Sequence, residues 1–162
     1  MNNHETYVDY YDPNTERLVS RSYYNKPFQF HRRGGPAQIE YYQNGNLTFE
    51  QWFKYGKVHN TEGPALKCYY SNGTLRRVRY AEHGKSHNAN GPAYIWWNDN
   101  GTVATEEYCI NGKRHREDGP AIIHYDENGI QTSEYYYLEG EEISEEDFYE
   151  NQKFDGDVDF IF

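Results

Sequence analysis

The sequence predicts an all-β protein: tandem β-hairpin repeats forming a single twisted antiparallel meander sheet, with a short C-terminal helix. Three observations carry this expectation. Aligned with itself at 28 residues, the chain stacks His31, His59, His87 and His115, then Gly35, Gly63, Gly91 and Gly119, each followed by Pro and Ala. Fourteen residues after each His stands a Gly preceded by Asn, at Gly45, Gly73, Gly101 and Gly129. The 18 Tyr nearly equal all Ile, Leu and Val together, which suits a thin sheet that buries ring faces and keeps polar edges wet. A mean hydropathy of -1.14 therefore does not imply disorder.

In chain order, residues 1–30 read as a degenerate N-terminal capping hairpin: Tyr7 to Tyr11, a turn around Asp12-Pro13-Asn14, then Leu18 to Tyr24. Residues 31–143 hold four 28-residue hairpin repeats. Asn-Gly between β-prone runs is the strongest local hairpin signal, and a type I′ turn is expected there. The first strand of each repeat runs from the Ala after Gly-Pro, with Ala37, Ile39 and Tyr41, or Ala121, Ile123 and Tyr125, on its buried face. Gly-Pro belongs at the strand entry, where the missing N–H costs nothing. From Leu47 to Trp52 the apolar positions do not alternate cleanly, so a bulge is expected in the second strand. Further on come Trp52, Tyr80, Tyr108 and Tyr136, and then a second turn glycine at Gly56, Gly84, Gly112 and Gly140. Ser144-Glu145-Glu146-Asp147 is a helix N-cap pattern that predicts a short helix near 144–152, inside an acidic cap and tail at 144–162. The sum is about ten strands, each hairpin advancing the array by roughly 9.6 Å.

The stretch Tyr108-Cys-Ile-Asn-Gly-Lys-Arg-His-Arg-Glu-Asp-Gly-Pro-Ala121 resembles the MORN-repeat variants, in particular a long-period subgroup spelled His-Arg-x-Asp-Gly-Pro-Ala. The resemblance covers about 31–143. In the middle repeats the motif's Arg and Asp are replaced by Asn60 and Glu62, then Asn88 and Asn90. Such repeats look like those of giant-virus and bacteriophage proteins. The resemblance therefore implies a hairpin array that binds other molecules, and a viral protein acting in the host cytoplasm; it assigns no catalytic residue.

Candidate chemistry is sparse. Ladder histidines one hairpin apart lie roughly 9.6 Å from each other, whereas shared zinc ligands all come within about 2.1 Å of the ion. A structural role is expected for them, and no metal or other cofactor. Cys68 and Cys109 occupy different places in the repeat and read as reduced thiols. Asp155-Gly-Asp157-Val-Asp159 opens like a calcium loop but has Phe160 where a Gly is needed. No hydrolase, metalloprotease or phosphate-loop motif occurs, so the chain is expected not to be an enzyme.

Charge is the most informative departure from the repeat. Residues 1–133 hold 15 acidic and 15 basic residues, so the whole net charge of -10 belongs to 134–162. Its carboxylates are interleaved with rings, which a merely solvated tail does not need and which either pack on the last hairpin or dock on a basic partner surface. Glu145, Glu146, Asp147, Phe148, Asp155, Asp157, Asp159 and Phe160 are therefore the candidate partner-binding residues, a phosphate mimic for a basic host protein that handles nucleic acid in defence. The alternative is a nucleotide or small-molecule site at Arg77, Arg79, Trp96 and Trp97, against the plainer reading that the arginines pair with Glu50, Glu106 or Glu107 across strands. With a neutral repeat body, neither direct nucleic-acid binding nor membrane binding is expected. Two open sheet edges make a homodimer feasible.

Overall fold

The structure, a computed structural model, describes residues 6–26 and 28–156, the last six of these as backbone only. It is one open antiparallel meander. The leading hairpin joins β1 (Thr6–Tyr11) to β2 (Leu18–Lys26), with a short β3 (Gln29–Phe30) folded back on β2. The first repeat contributes β4 (Gln38–Tyr41), β5 (Leu47–Gln51), β6 (Phe53–Lys54) and β7 (Lys57–Val58). The second contributes β8 (Leu66–Tyr69), β9 (Leu75–Arg79), β10 (Ala81–Glu82) and β11 (Lys85–Ser86). The third contributes β12 (Tyr94–Trp97), β13 (Val103–Glu107), β14 (Cys109–Ile110) and β15 (Lys113–Arg114). In the fourth, β16 (Ile122–Tyr125) precedes a long β17 (Gln131–Leu138), β18 (Glu141–Ile143) and the helix α1 (Glu145–Gly156). The sheet runs β1-β2-β4-β5-β8-β9-β12-β13-β16-β17-β18, always between chain neighbours along that path.

Each repeat is two hairpins, and the type I′ geometry expected at Asn-Gly is found at the second turn instead. At Asn-Gly, φ is positive at Gly45, Gly73, Gly101 and Gly129 but not at the preceding Asn. Gly45 N–H donates to the Tyr42 carbonyl and Tyr42 N–H to the Asn46 carbonyl. This is a three-residue loop, a type I turn closed by one left-handed glycine. The Asn works through its side chain: Asn44 Oδ1 accepts the Asn46 N–H at 3.0 Å, as Asn72 and Asn100 do for Thr74 and Thr102. Two consecutive positive φ values, as a type I′ turn requires, occur instead in the small hairpins, at Tyr55-Gly56, His83-Gly84, Asn111-Gly112 and Glu139-Gly140.

The expected bulge is present in every repeat. Glu40 faces Phe49 while Tyr41 faces Leu47, which leaves Thr48 unpaired; Arg76, Ala104 and Thr132 are the same extra residue further along. Directly paired positions then define the faces. Ile39, Glu50, Lys67, Val78, Ile95, Glu106 and Ile123 form a row on one face, where the expected inward positions Ala37 and Ile39 are 0% and 9% exposed. Gln51, Leu66, Arg79, Tyr94, Glu107 and Ile122 form a row on the other.

The small hairpins fold against that second face and stack on one another. Gly84 N–H donates to the Val58 carbonyl, Gly112 N–H to Ser86 and Gly140 N–H to Arg114, while Asn60, Asn88 and Arg116 N–H groups reach Ala81, Cys109 and Tyr137 carbonyls. The thin sheet is thus covered on one side by its own repeats, and the four alanines at 37, 65, 93 and 121 are fully buried.

Candidate functional site

The C-terminal candidates divide sharply. Ser144 caps α1: its Oγ accepts the Asp147 N–H at 3.0 Å and donates to Asp147 Oδ2 at 2.6 Å. Glu145, Glu146 and Asp147 occupy the first helical turn, where carboxylates complement the helix dipole, and all are exposed. Phe148 is the correction. Proposed above as a partner anchor, it is 1% exposed, with its ring 4.8 Å from that of buried Tyr136 on β17. The helical turn places one apolar side chain inward among outward carboxylates, so Phe148 is already occupied within the fold. Asp155 lies on α1 where only the backbone is described, and Asp157, Asp159 and Phe160 lie outside the described residues.

The arginine and tryptophan group is only partly assembled. Arg77 faces Trp96 directly across β9 and β12, so their side chains share a face. Arg79 is engaged by the adjacent small hairpin: Nε donates to Ser86 Oγ at 3.0 Å, Nη2 to the Gly84 carbonyl at 3.1 Å, and Ser86 in turn meets Tyr94 Oη at 2.7 Å. Neither arginine pairs with the glutamates suggested from sequence. Glu50 accepts from Tyr69, Glu106 from Tyr125 and Glu107 from Arg114. A crevice of about 560 Å³ is lined by both Trp96 and Trp97, but the cations on it are Arg76 and Arg114 in place of Arg77 and Arg79, with Thr105 and His124 beside them.

The repeat histidines have a shared task. His31 Nδ1 accepts the N–H of Tyr55 at 3.4 Å, His59 that of His83 at 3.2 Å, His87 that of Asn111 at 3.2 Å and His115 that of Glu139 at 3.1 Å. Every recipient is the left-handed residue of the small-hairpin turn 24 residues downstream. The histidine therefore holds a strained turn in the small hairpin downstream of it. The side chain on that turn packs on the ring: Tyr55 stacks on His31 at 4.8 Å and His83 lies 4.6 Å from His59.

This accounts for the trio His59, Glu82 and His83, whose ligand atoms fall within 4.8 Å of one another. With Nδ1 of His59 accepting a backbone N–H, its neutral tautomer carries the proton on Nε2 and presents a donor outward. Binding a cation there would force the proton onto Nδ1, against the His83 N–H. Burial first, then the charges of His83 and Lys54, hold His59 below the usual imidazole range. Cys109 is no better placed for chemistry, since burial and the Glu107 carboxylate push its thiol up to about 12.

Three further crevices lie between successive loops that carry the His-to-Gly-Pro motif. The first, of about 580 Å³, lies between the loops at 31–36 and 59–64. The second, about 460 Å³, separates loops two and three, and the third, about 630 Å³, loops three and four. Their walls are built alike. Arg32 and Arg116 donate to the carbonyls of Pro36 and Pro120, and Asn60 and Asn88 make the same bond to Pro64 and Pro92. The motif's Arg-to-Asn change thus preserves the loop.

No family model matches the sequence, and no curated protein or solved structure matches it either.

Proposed function

We propose that the chain is a non-enzymatic protein-binding module whose partner docks on the β1 edge of the sheet. The observation that carries this reading is the exposure of that strand. Tyr7, Val8, Tyr10 and Tyr11 are 59%, 60%, 60% and 50% exposed, and among the described residues β1 pairs on one side only. An edge strand with an unpaired row of backbone groups and large apolar side chains is the form that strand addition uses: backbone bonds give affinity and alternate side chains give specificity. The edge bears a single charge, Asp9, which Arg21 grips with two bonds of 2.6 and 2.7 Å. It therefore offers a partner little electrostatic resistance.

The exposed carboxylates Glu145 and Glu146 sit at the other end of the sheet and act by steering a basic partner surface, not by anchoring it. If the chain is viral, as the resemblance to MORN-repeat variants implies, the partner is a host protein. The test places a photo-crosslinking residue at Tyr10 and compares capture by the Tyr10→Lys chain and by a Glu145→Lys/Glu146→Lys chain. Crosslinking at position 10 and loss of the partner in the edge variant are expected. Capture that survives Tyr10→Lys but fails in the charge-reversed chain would return the function to the acidic helix as a phosphate mimic.

A further inference from the structure

We infer that the first crevice of the array, between the loops at 31–36 and 59–64, binds a ligand carrying two or more phosphates, on a surface separate from the β1 edge. The argument rests on a column-by-column comparison of three cavities that one repeat builds three times. Residues held in common, the histidine, the Gly-Pro and the aromatic residue after the second main strand, are needed for the fold wherever they occur. Positions that line the same cavity yet change from repeat to repeat are free of that duty, and they are where a repeat protein writes specificity.

Three such positions turn cationic in the first crevice alone. Arg33 stands where later repeats have Thr61, Ala89 and Glu117. Lys54 stands where they have Glu82, Ile110 and Leu138. Lys67 stands where they have Ile95 and Ile123. With Arg32 the first crevice gathers four cations against one carboxylate, Glu62. The second is lined by Glu62 and Glu82 with no Lys or Arg, and the third sets Arg116 against Glu117 and Asp118. In a repeat body whose acidic and basic residues balance over 1–133, four cations against one carboxylate in a single concave site is a local excess of positive charge.

Geometry narrows the ligand. Arg32 is held in place by its bond to the Pro36 carbonyl and by the Tyr23 ring 4.1 Å from its guanidinium, so it enters the site pre-oriented. Lys67 Nζ lies 5.2 Å from the centre of the Trp52 ring, and Trp52 is the one Trp in a column otherwise filled by Tyr80, Tyr108 and Tyr136. Clustered Arg and Lys in a cavity of about 580 Å³ suit a compact multivalent anion. An indole on the wall adds a face for a flat ring.

The test uses the full chain, with pyrophosphate and adenosine triphosphate as probes in calorimetric titration at low salt. The decisive variant is Arg33→Thr/Lys54→Glu/Lys67→Ile. Each change installs the residue that the second repeat or its neighbour already carries in that column, so the loop should fold as its siblings do. A melting temperature equal to that of the parent is the check. Binding of one or both probes, weakened about tenfold or more in the variant, is expected. Equal affinity for both probes assigns the site to a free polyphosphate. Tighter nucleotide binding that Trp52→Tyr removes assigns it to a nucleotide. Absence of binding, binding unchanged in the variant, or a preference for a polyglutamate peptide over pyrophosphate would overturn the inference. None of these outcomes depends on Tyr10, so this site and the β1 edge stand or fall separately.

Discussion

The two ends of the sheet meet their surroundings in opposite ways. Beyond β17 and β18 the chain turns into α1, which is capped by Ser144 and drops Phe148 onto Tyr136, leaving Phe148 1% exposed. At the start, β1 presents four large apolar side chains at half exposure or more, with no described element beyond it. Both ends face the same physical problem, since each repeat buries its surface against its neighbours and, among the described residues, the sheet has a neighbour strand on one side only at either end. One end solves it internally. The other leaves its large side chains exposed.

Five measurements test how far the two ends differ. If α1 is a cap, Phe148→Ala should cost about 3–5 kcal/mol in urea denaturation, the range for emptying a buried aromatic site; a loss under about 1 kcal/mol would make the helix an ornament and the two ends alike. Next in size is the ladder between the ends. His87→Ala removes the acceptor for Asn111 N–H and should cost about 1–3 kcal/mol. The same ladder predicts a pH effect. The folded chain holds His59 below its ordinary value, so as pH falls the unfolded chain takes up that proton first. Stability from this group is complete above about pH 6.5 and declines below it. A denaturation midpoint that rises on acidification through that window would contradict the acceptor role. Ser144→Ala should cost about 1 kcal/mol through loss of the N-cap. Smallest of all, Tyr10→Lys should change stability by no more than about 0.5 kcal/mol, because its side chain is 60% exposed; a large loss would mean that β1 too is a folding element.

Much of the architecture was legible because it rests on glycine and alternation. Gly45 and its repeats mark turns, Ile39 and Ile123 mark a buried face, and the failed alternation after Leu47 marks the bulge at Thr48. Turn type was not legible: Asn-Gly fits both a two-residue type I′ loop and a three-residue loop closed by Gly, and the choice depends on where the strands stop. Strands of two residues, such as β6 and β7, are too short to alternate, so the second hairpin left only its glycine as a signal. The histidine's task joins atoms 24 residues apart and leaves no local pattern. Phe148 was misread because a charge run hides the single inward position of a helical turn. The candidate crevice did leave a trace: reading the repeats down their columns isolates Arg33, Lys54 and Lys67, whereas reading along the chain favours the denser Arg76-Arg77-Val78-Arg79 cluster.

The reach of each histidine to the turn 24 residues ahead, within a 28-residue period, has a genetic consequence. Counted from residue 60 to 87, a 28-residue unit offers one ring acceptor forward, at His87, and takes one from behind, at His59, so every such join is the same join. Excising residues 60–87, or copying them in tandem, leaves each turn N–H with a ring to meet. Unequal recombination between repeats therefore yields shorter or longer arrays that remain chemically complete, and the number of units becomes a trait that selection on the bound surface is at liberty to adjust.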